Sequence, residues 1–126
     1  IGPFCHLREQ VVIKDKTIIG NFIEIVRSKV GSNSIAKHFC YLGDSIIGNG
    51  VNIGAGTVTA NFDGIRKNTT FIQDNSFIGS DTVLIAPVKV GKGATTGAGS
   101  VLLKNSKVAD GAKVAGVPAK LLNKKR

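Results

Sequence analysis

Aliphatic residues recur every six positions along this chain, a spacing that an α-helix of 3.6-residue period does not produce. Ile72, Ile78, Leu84, Val90, Thr96, Leu102, Val108 and Val114 form one unbroken run, with a single polar member. Ile1, Leu7, Ile13, Ile19 and Ile25 form a second. Val30, Ala36, Leu42, Ile47 and Ile53 connect them, with two steps shortened to five. Four places after these there is usually a small or aliphatic residue, as at Cys5, Val11, Ser34, Cys40, Val51, Thr82, Val88 and Ser100. Gly often follows the aliphatic residue directly, as at Gly20, Gly54 and Gly79.

Each unit therefore predicts a very short strand followed by a turn. Side chains alternate along a strand, so the aliphatic residue and the one two places before it point inward together. Gly and Asn tolerate the turn backbone. Three units close a triangular coil, and coils stack by parallel hydrogen bonding, each stabilised by its neighbours. The expected fold is all-β: a parallel β-helix of about six to seven triangular coils.

Laid out three units per coil, the repeat gives three vertical ladders. The first holds Ile1, Ile19, Ala36, Ile53, Ile78, Thr96 and Val114. The second holds Leu7, Ile25, Leu42, Thr59, Leu84 and Leu102, and the third Ile13, Val30, Ile47, Ile72, Val90 and Val108. Thr59 to Ile72 spans thirteen residues instead of six, which predicts an inserted loop near 60–70 with the sequence A-N-F-D-G-I-R-K-N-T-T. Interruptions of a repeat often mark the working face. Pro118 cannot donate to a ladder and is expected to end the helix. That gives a β-helical domain over 1–118 and a basic tail over 119–126, loose or with a short helical turn.

Composition refines this picture. A chain of 126 residues suits one domain. With 16 Gly, one Tyr and no Trp, shallow stacked layers fit better than one thick core. No Met occurs anywhere, so the chain is expected to be a piece of something longer. No signal peptide or apolar run of membrane-spanning length is present, which argues against a membrane partner. Cys5 and Cys40 lie in no metal-ligand spacing and read as reduced residues of a cytoplasmic protein. The formal charge of +9 points to an anionic partner. Nucleic acid is disfavoured, because the basic residues are scattered and the sole Tyr has no aromatic partners for stacking.

Chemistry-bearing residues are few. Two His are too few for a three-His zinc site, and no phosphate-binding loop or nucleophile elbow occurs. His38 falls on a turn near Lys37, Tyr41 and Asp44. An imidazole there suits a general base, although a turn His is often just a surface residue. Positions two after the first ladder are Asn21, His38, Ala55, Ser80, Ala98 and Gly116. Beyond His38 that edge is small, which would admit a long thin ligand. Turns that simply favour small residues would look the same.

The segments G-N-F-I-E-I at 20–25, K-H-F-C-Y-L-G-D-S-I-I-G at 37–48, V-N-I-G-A-G-T-V-T-A-N-F-D-G at 51–64 and F-I-G-S-D-T-V-L-I-A-P-V at 77–88 carry a likeness. They resemble the C-terminal acetyltransferase domain of the bifunctional N-acetylglucosamine-1-phosphate uridyltransferase / glucosamine-1-phosphate N-acetyltransferases, a group of hexapeptide-repeat acyltransferases. The resemblance runs from Ile1 to about Val108. It implies a left-handed prism, against the usual crossover hand, and a homotrimer with active sites between subunits. It implies acetyl-CoA as co-substrate, an amino sugar phosphate as acceptor and no metal.

By that resemblance His38 is the catalytic base and Glu24 orients it. Arg8, Tyr41, Asn52 and Lys67 hold the sugar phosphate, and Ala55, Asn61, Phe62, Ser80 and Ala98 line acetyl-CoA or the nearby acceptor. Three departures stand out. Val26 occupies the place of a family Lys, with Arg27 one residue out of register. Phe62 replaces a frequent Tyr, and Gly116 stands where some relatives have Arg. No nucleotide-transferring domain is present, so uridyl transfer is not expected. Two other readings stay open: a hexapeptide acyltransferase with another acceptor, and a non-catalytic trimeric solenoid.

Overall fold

A computed structural model describes residues 1–122 of the chain. The last four residues, including Lys124, Lys125 and Arg126 of the expected basic tail, lie outside the described residues. Strands of two to four residues alternate with turns and wind into a parallel β-solenoid of about six turns, with no helix among the described residues. Three flat faces result, two six-stranded sheets and one seven-stranded sheet. This is the architecture expected from the six-residue period, and it is consistent with the left-handed winding.

The register reproduces the three ladders. Ile19, Ala36, Ile53, Ile78, Thr96 and Val114 lie one above another. Leu7, Ile25 and Leu42 stack likewise, as do Thr59, Leu84 and Leu102. Ile13, Val30, Ile47, Ile72, Val90 and Val108 complete the set. Ile25, Leu42, Ile78, Leu84 and Val90 are wholly buried. Burying one such side chain is worth about 1.5–3 kcal/mol, against about 1 kcal/mol net for a backbone hydrogen bond. The three ladder residues of each coil and its backbone hydrogen bonds to the neighbouring coils therefore contribute comparably to stability. Polar ladder members are satisfied: Thr96 Oγ1 meets Thr82 Oγ1 at 3.0 Å, and Thr59 Oγ1 accepts from Gly43 N at 2.8 Å.

The residues two before each ladder position face inward as the alternation requires. Ser28, Ser34, Ser45, Thr57 and Ser100 are buried, and their hydroxyls donate to turn carbonyls, for example Ser34 Oγ to Gly48 O at 2.8 Å. Small hydroxylated side chains thus cap the turns from inside the prism. Cys40 belongs to this set, and its burial pushes the thiol up to about 12, which keeps it protonated and unreactive. Both cysteines are free.

Glycine turns out to serve two separate needs. Most corners hold one residue in a left-handed backbone, which Gly56 (φ 77°) fills easily and Asn33, Asp44 and Asn75 also adopt. The glycine directly after the ladder residue has a different cause. At Gly20 a Cβ would land on the Lys37 carbonyl of the next coil, so coil spacing itself excludes a side chain.

Past Val114 the chain departs from the expected loose or helical segment. Lys120–Leu121 folds back as a short strand antiparallel to Lys113–Ala115, and Ala119 packs against the core. The last coil would otherwise leave its lower edge unpaired, and this return strand covers it. Among the described residues, no helix is long and apolar enough to cross a membrane.

Candidate active site

Two of the prism's corners, with Glu24, Tyr41 and Asn52 on the strands beside them, carry the residues of interest. The first corner joins the sheet containing Ile35–Ala36 to the sheet containing Cys40–Gly43. His38 sits on this turn, because the two-residue strand before it ends at Ala36 and the next begins at Cys40. A groove of about 260 Å³ runs beside it, lined by Lys37, His38, Asn52, Gly54, Ala55 and Ser80 among others. Asn52, on the strand that pairs with Ile35–Ala36 in the next coil of the same sheet, also borders the groove. The small edge read from phase thus borders a real depression. Ala98 belongs to the same edge one coil further on, since Thr96 pairs with Ile78.

The second corner lies at the other end of the Cys40–Gly43 strand and carries the inserted loop. Val58–Ala60 leads into it and Thr70–Ile72 leaves it, matching the predicted break. Asn68 N donates to Asn61 O at 2.7 Å and closes the base of the loop. Asp63 organises its tip: Oδ1 accepts from the backbone N–H groups of Ile65 and Arg66, both at 2.8 Å. Those two donors hold the Asp63 carboxyl far below the usual carboxylate range. Phe62 and Lys67 pair across the loop, and the Lys67 ammonium lies 5.8 Å from the Phe62 ring centroid. The Phe62 ring thus serves as a platform for Lys67.

Arg8 and Glu24 meet nearby, Nη1 donating to Oε2 at 3.0 Å. Within the chain Glu24 is thus engaged by Arg8, whereas the resemblance implies that it orients His38. Val26 stacks directly on Arg8, as its phase requires, and is 0% exposed. The Val26 side chain itself is therefore closed to a ligand.

Glu9, Arg27 and Asp44, which are not among the expected site residues, form a charged cluster that reaches Asn61 and Tyr41. The Arg27 guanidinium forks onto Asp44, with Nε to Oδ1 at 2.7 Å and Nη2 to Oδ2 at 3.0 Å, and Nη1 reaches Glu9 at 3.2 Å. Asn61 Nδ2 donates to Asp44 Oδ2 at 2.6 Å and lies 3.3 Å from the Tyr41 hydroxyl. The signal was available in the phase, since Glu9, Arg27, Asp44 and Asn61 all fall two places after the second ladder. Arg27 first, then Asn61, holds the Asp44 carboxyl below its ordinary 3.8. A depressed folded-state value means that ionised Asp44 adds stability above 3.8 and loses it as pH falls through the lower folded value. Asp44→Asn is accordingly expected to lower the thermal midpoint near neutral pH. The gap to the parent should close under strong acid, as followed by thermal melts across a pH series.

The expected site residues thus fall into two groups. His38, Asn52, Ala55, Ser80 and Ala98 attend the first corner. Arg8, Asn61, Phe62 and Lys67 attend the second, with Tyr41 drawn to it by Asn61. The strand between the corners has four residues and spans about 13 Å.

Comparison with known proteins gives a consistent result. Residues 69–104 match the family described as bacterial transferase hexapeptide (six repeats). The bifunctional protein GlmU of Thermodesulfovibrio yellowstonii is 57% identical over 104 residues, covering 82% of this chain and 23% of the relative. That of Thermotoga maritima is 51% identical over 105 residues, covering 83% and 24%. The chain therefore spans about a quarter of the length of the curated relatives it matches. Among solved structures, WeeI from Acinetobacter baumannii aligns with a TM-score of 0.83 at 26% identity, covering 95% of this chain and 56% of that one. The acetyltransferase domain of PglB from Neisseria gonorrhoeae in complex with acetyl coenzyme A also gives a TM-score of 0.83, at 24% identity and 95% and 55% coverage.

Proposed function

We propose that this chain, whose residues 69–104 match the hexapeptide transferase family, moves the acetyl group of acetyl-CoA to the amino group of glucosamine 1-phosphate. The observation that carries this reading is the groove joining His38 to Asn52, Ala55 and Ser80, on a chain 51–57% identical to GlmU relatives over most of its length. His38 takes a proton from the sugar ammonium. The freed amine attacks the thioester carbonyl carbon and forms the C–N bond. The attacking nitrogen sheds its surplus proton as the C–S bond breaks, and the departing thiolate takes up a proton to leave as coenzyme A. Turn N–H groups beside the groove are suited to stabilising the oxyanion between these steps. The product, N-acetylglucosamine 1-phosphate, would feed UDP-N-acetylglucosamine and cell-wall synthesis.

The two corners also support a trimer with sites between subunits. In this acceptor the amine and the phosphate sit on adjacent ring carbons. A phosphate held by Arg8 and Lys67 lies a full strand away from the same chain's His38, about 13 Å by strand geometry. A second copy presenting its first corner to that phosphate site closes the distance. Free Cys5 and Cys40 support a reducing compartment, the cytoplasm.

A second reading, another acceptor for the same acetyl donor, is favoured by one observation: the wholly buried Val26 removes a cationic contact from the phosphate side. Calorimetric titration with acetyl-CoA separates both readings from a non-catalytic solenoid. We expect saturable binding, one site per chain, by a species of three times the chain mass. A folded trimer that gives no heat would overturn both enzymatic readings.

A further inference from the structure

The Arg27 cluster has a directional consequence. Asp44 is fork-bonded by Arg27 with its side chain only 15% exposed, so its carboxylate is an acceptor and nothing else. Asn61 lies 2.6 Å from that carboxylate and is itself buried, at 7% exposure. Its amide must therefore present the NH2 group, because turning the oxygen inward would face two acceptors together. The same nitrogen lies 3.3 Å from the Tyr41 hydroxyl and has no lone pair to offer. The second amide hydrogen goes to Tyr41 Oη, which accepts. The phenol's own hydrogen then points away from Asn61, toward whatever occupies the site.

We propose that Arg27 is a positioning residue which, through Asp44 and Asn61, fixes the Tyr41 hydroxyl as a hydrogen-bond donor toward the acceptor. The inference rests on the acceptor site proposed above. Arg27 does not stand in for the cation missing at position 26, because its guanidinium is occupied by two carboxylates. It acts at one remove, by setting hydrogen-bond polarity. A donor at Tyr41 suits the phosphate or hydroxyl oxygens of a sugar phosphate and disfavours a ligand that offers only N–H or O–H at that point. Gly43 belongs to the same device: a Cβ there would come within 2.5 Å of the Tyr41 hydroxyl oxygen and 2.6 Å of Asn61 Nδ2, prising the pair apart.

Tyr41 is the sole tyrosine and the chain has no tryptophan, so its vibrational signature is free of overlap. The tyrosine Raman doublet distinguishes a phenol that accepts from one that only donates. In ligand-free wild type we expect the accepting signature. In Asp44→Asn the Asn61 amide loses its fixed orientation, and the doublet should move toward the donating form. Arg27→Met should do the same, while Arg27→Lys should retain much of the wild-type signal. Both disruptive variants should raise KM for glucosamine 1-phosphate roughly tenfold, the cost of one misdirected hydrogen bond, and leave KM for acetyl-CoA unchanged. An unchanged doublet in folded Asp44→Asn overturns the proposal, even if KM rises. If that variant does not fold, Asn61→Leu replaces it, and retention of the accepting signature there overturns the proposal equally. Failure of the wild type to use glucosamine 1-phosphate would sink the functional reading alone, because the doublet is measured without ligand.

Discussion

Replacing His38 with alanine is expected to lower kcat for acetyl transfer by roughly two to four orders of magnitude, the usual contribution of a positioned general base. The thermal midpoint should stay close to that of the parent. His38 is exposed on a turn, and the stability of its coil resides in Ala36, Cys40 and Leu42, all buried. Because the lesion removes the base while the groove walls at Asn52, Ala55 and Ser80 remain, KM for acetyl-CoA should change little. Raising the pH should recover part of the loss, since more of the acceptor then arrives as free amine. Steady-state thiol release over a pH series checks this. Wild-type turnover in the variant would remove His38 from the mechanism.

The largest expected loss of stability comes from Gly20→Val. A Cβ at Gly20 would overlap the backbone carbonyl of Lys37, which no rotamer change can relieve. The Gly20 N–H also donates to Ala36 O at 2.8 Å, so the coils cannot part here without breaking that bond. Overpacking against rigid backbone places the cost at about 3–5 kcal/mol. The damage reaches function too, because the displaced residue is the neighbour of His38. Gly64 offers a contrast: a Cβ there meets nothing, and the cost is the left-handed backbone alone, about 1–2 kcal/mol for an L-residue. Denaturant unfolding of the two variants against the wild type separates contact from conformation.

Much of this molecule was legible before any coordinates. The six-residue spacing placed Ile19, Ala36, Ile53, Ile78, Thr96 and Val114 in one ladder, and they stack in that order. Period and register are the same information in a solenoid, because each residue contacts only its counterparts one coil away. The break after Thr59 located the loop for the same reason. Phase alone put His38 on an edge of small residues, and that edge lines a groove. What phase could not supply was side-chain direction at the corners. Arg27 read as a cation one residue out of register, but it turns onto Asp44 and Glu9. Asn61 turns its amide nitrogen onto Asp44 and Tyr41, a direction that phase does not encode. The return of Lys120–Leu121 was also hidden, because two residues of strand leave no periodic trace.

The measurement that tests the central claim most directly is thiol release by the wild-type protein given acetyl-CoA and glucosamine 1-phosphate together. We expect stoichiometric release of coenzyme A with formation of N-acetylglucosamine 1-phosphate, dependent on both substrates and lost in His38→Ala. Absence of acceptor-dependent thiol release from a folded protein that binds acetyl-CoA would contradict it.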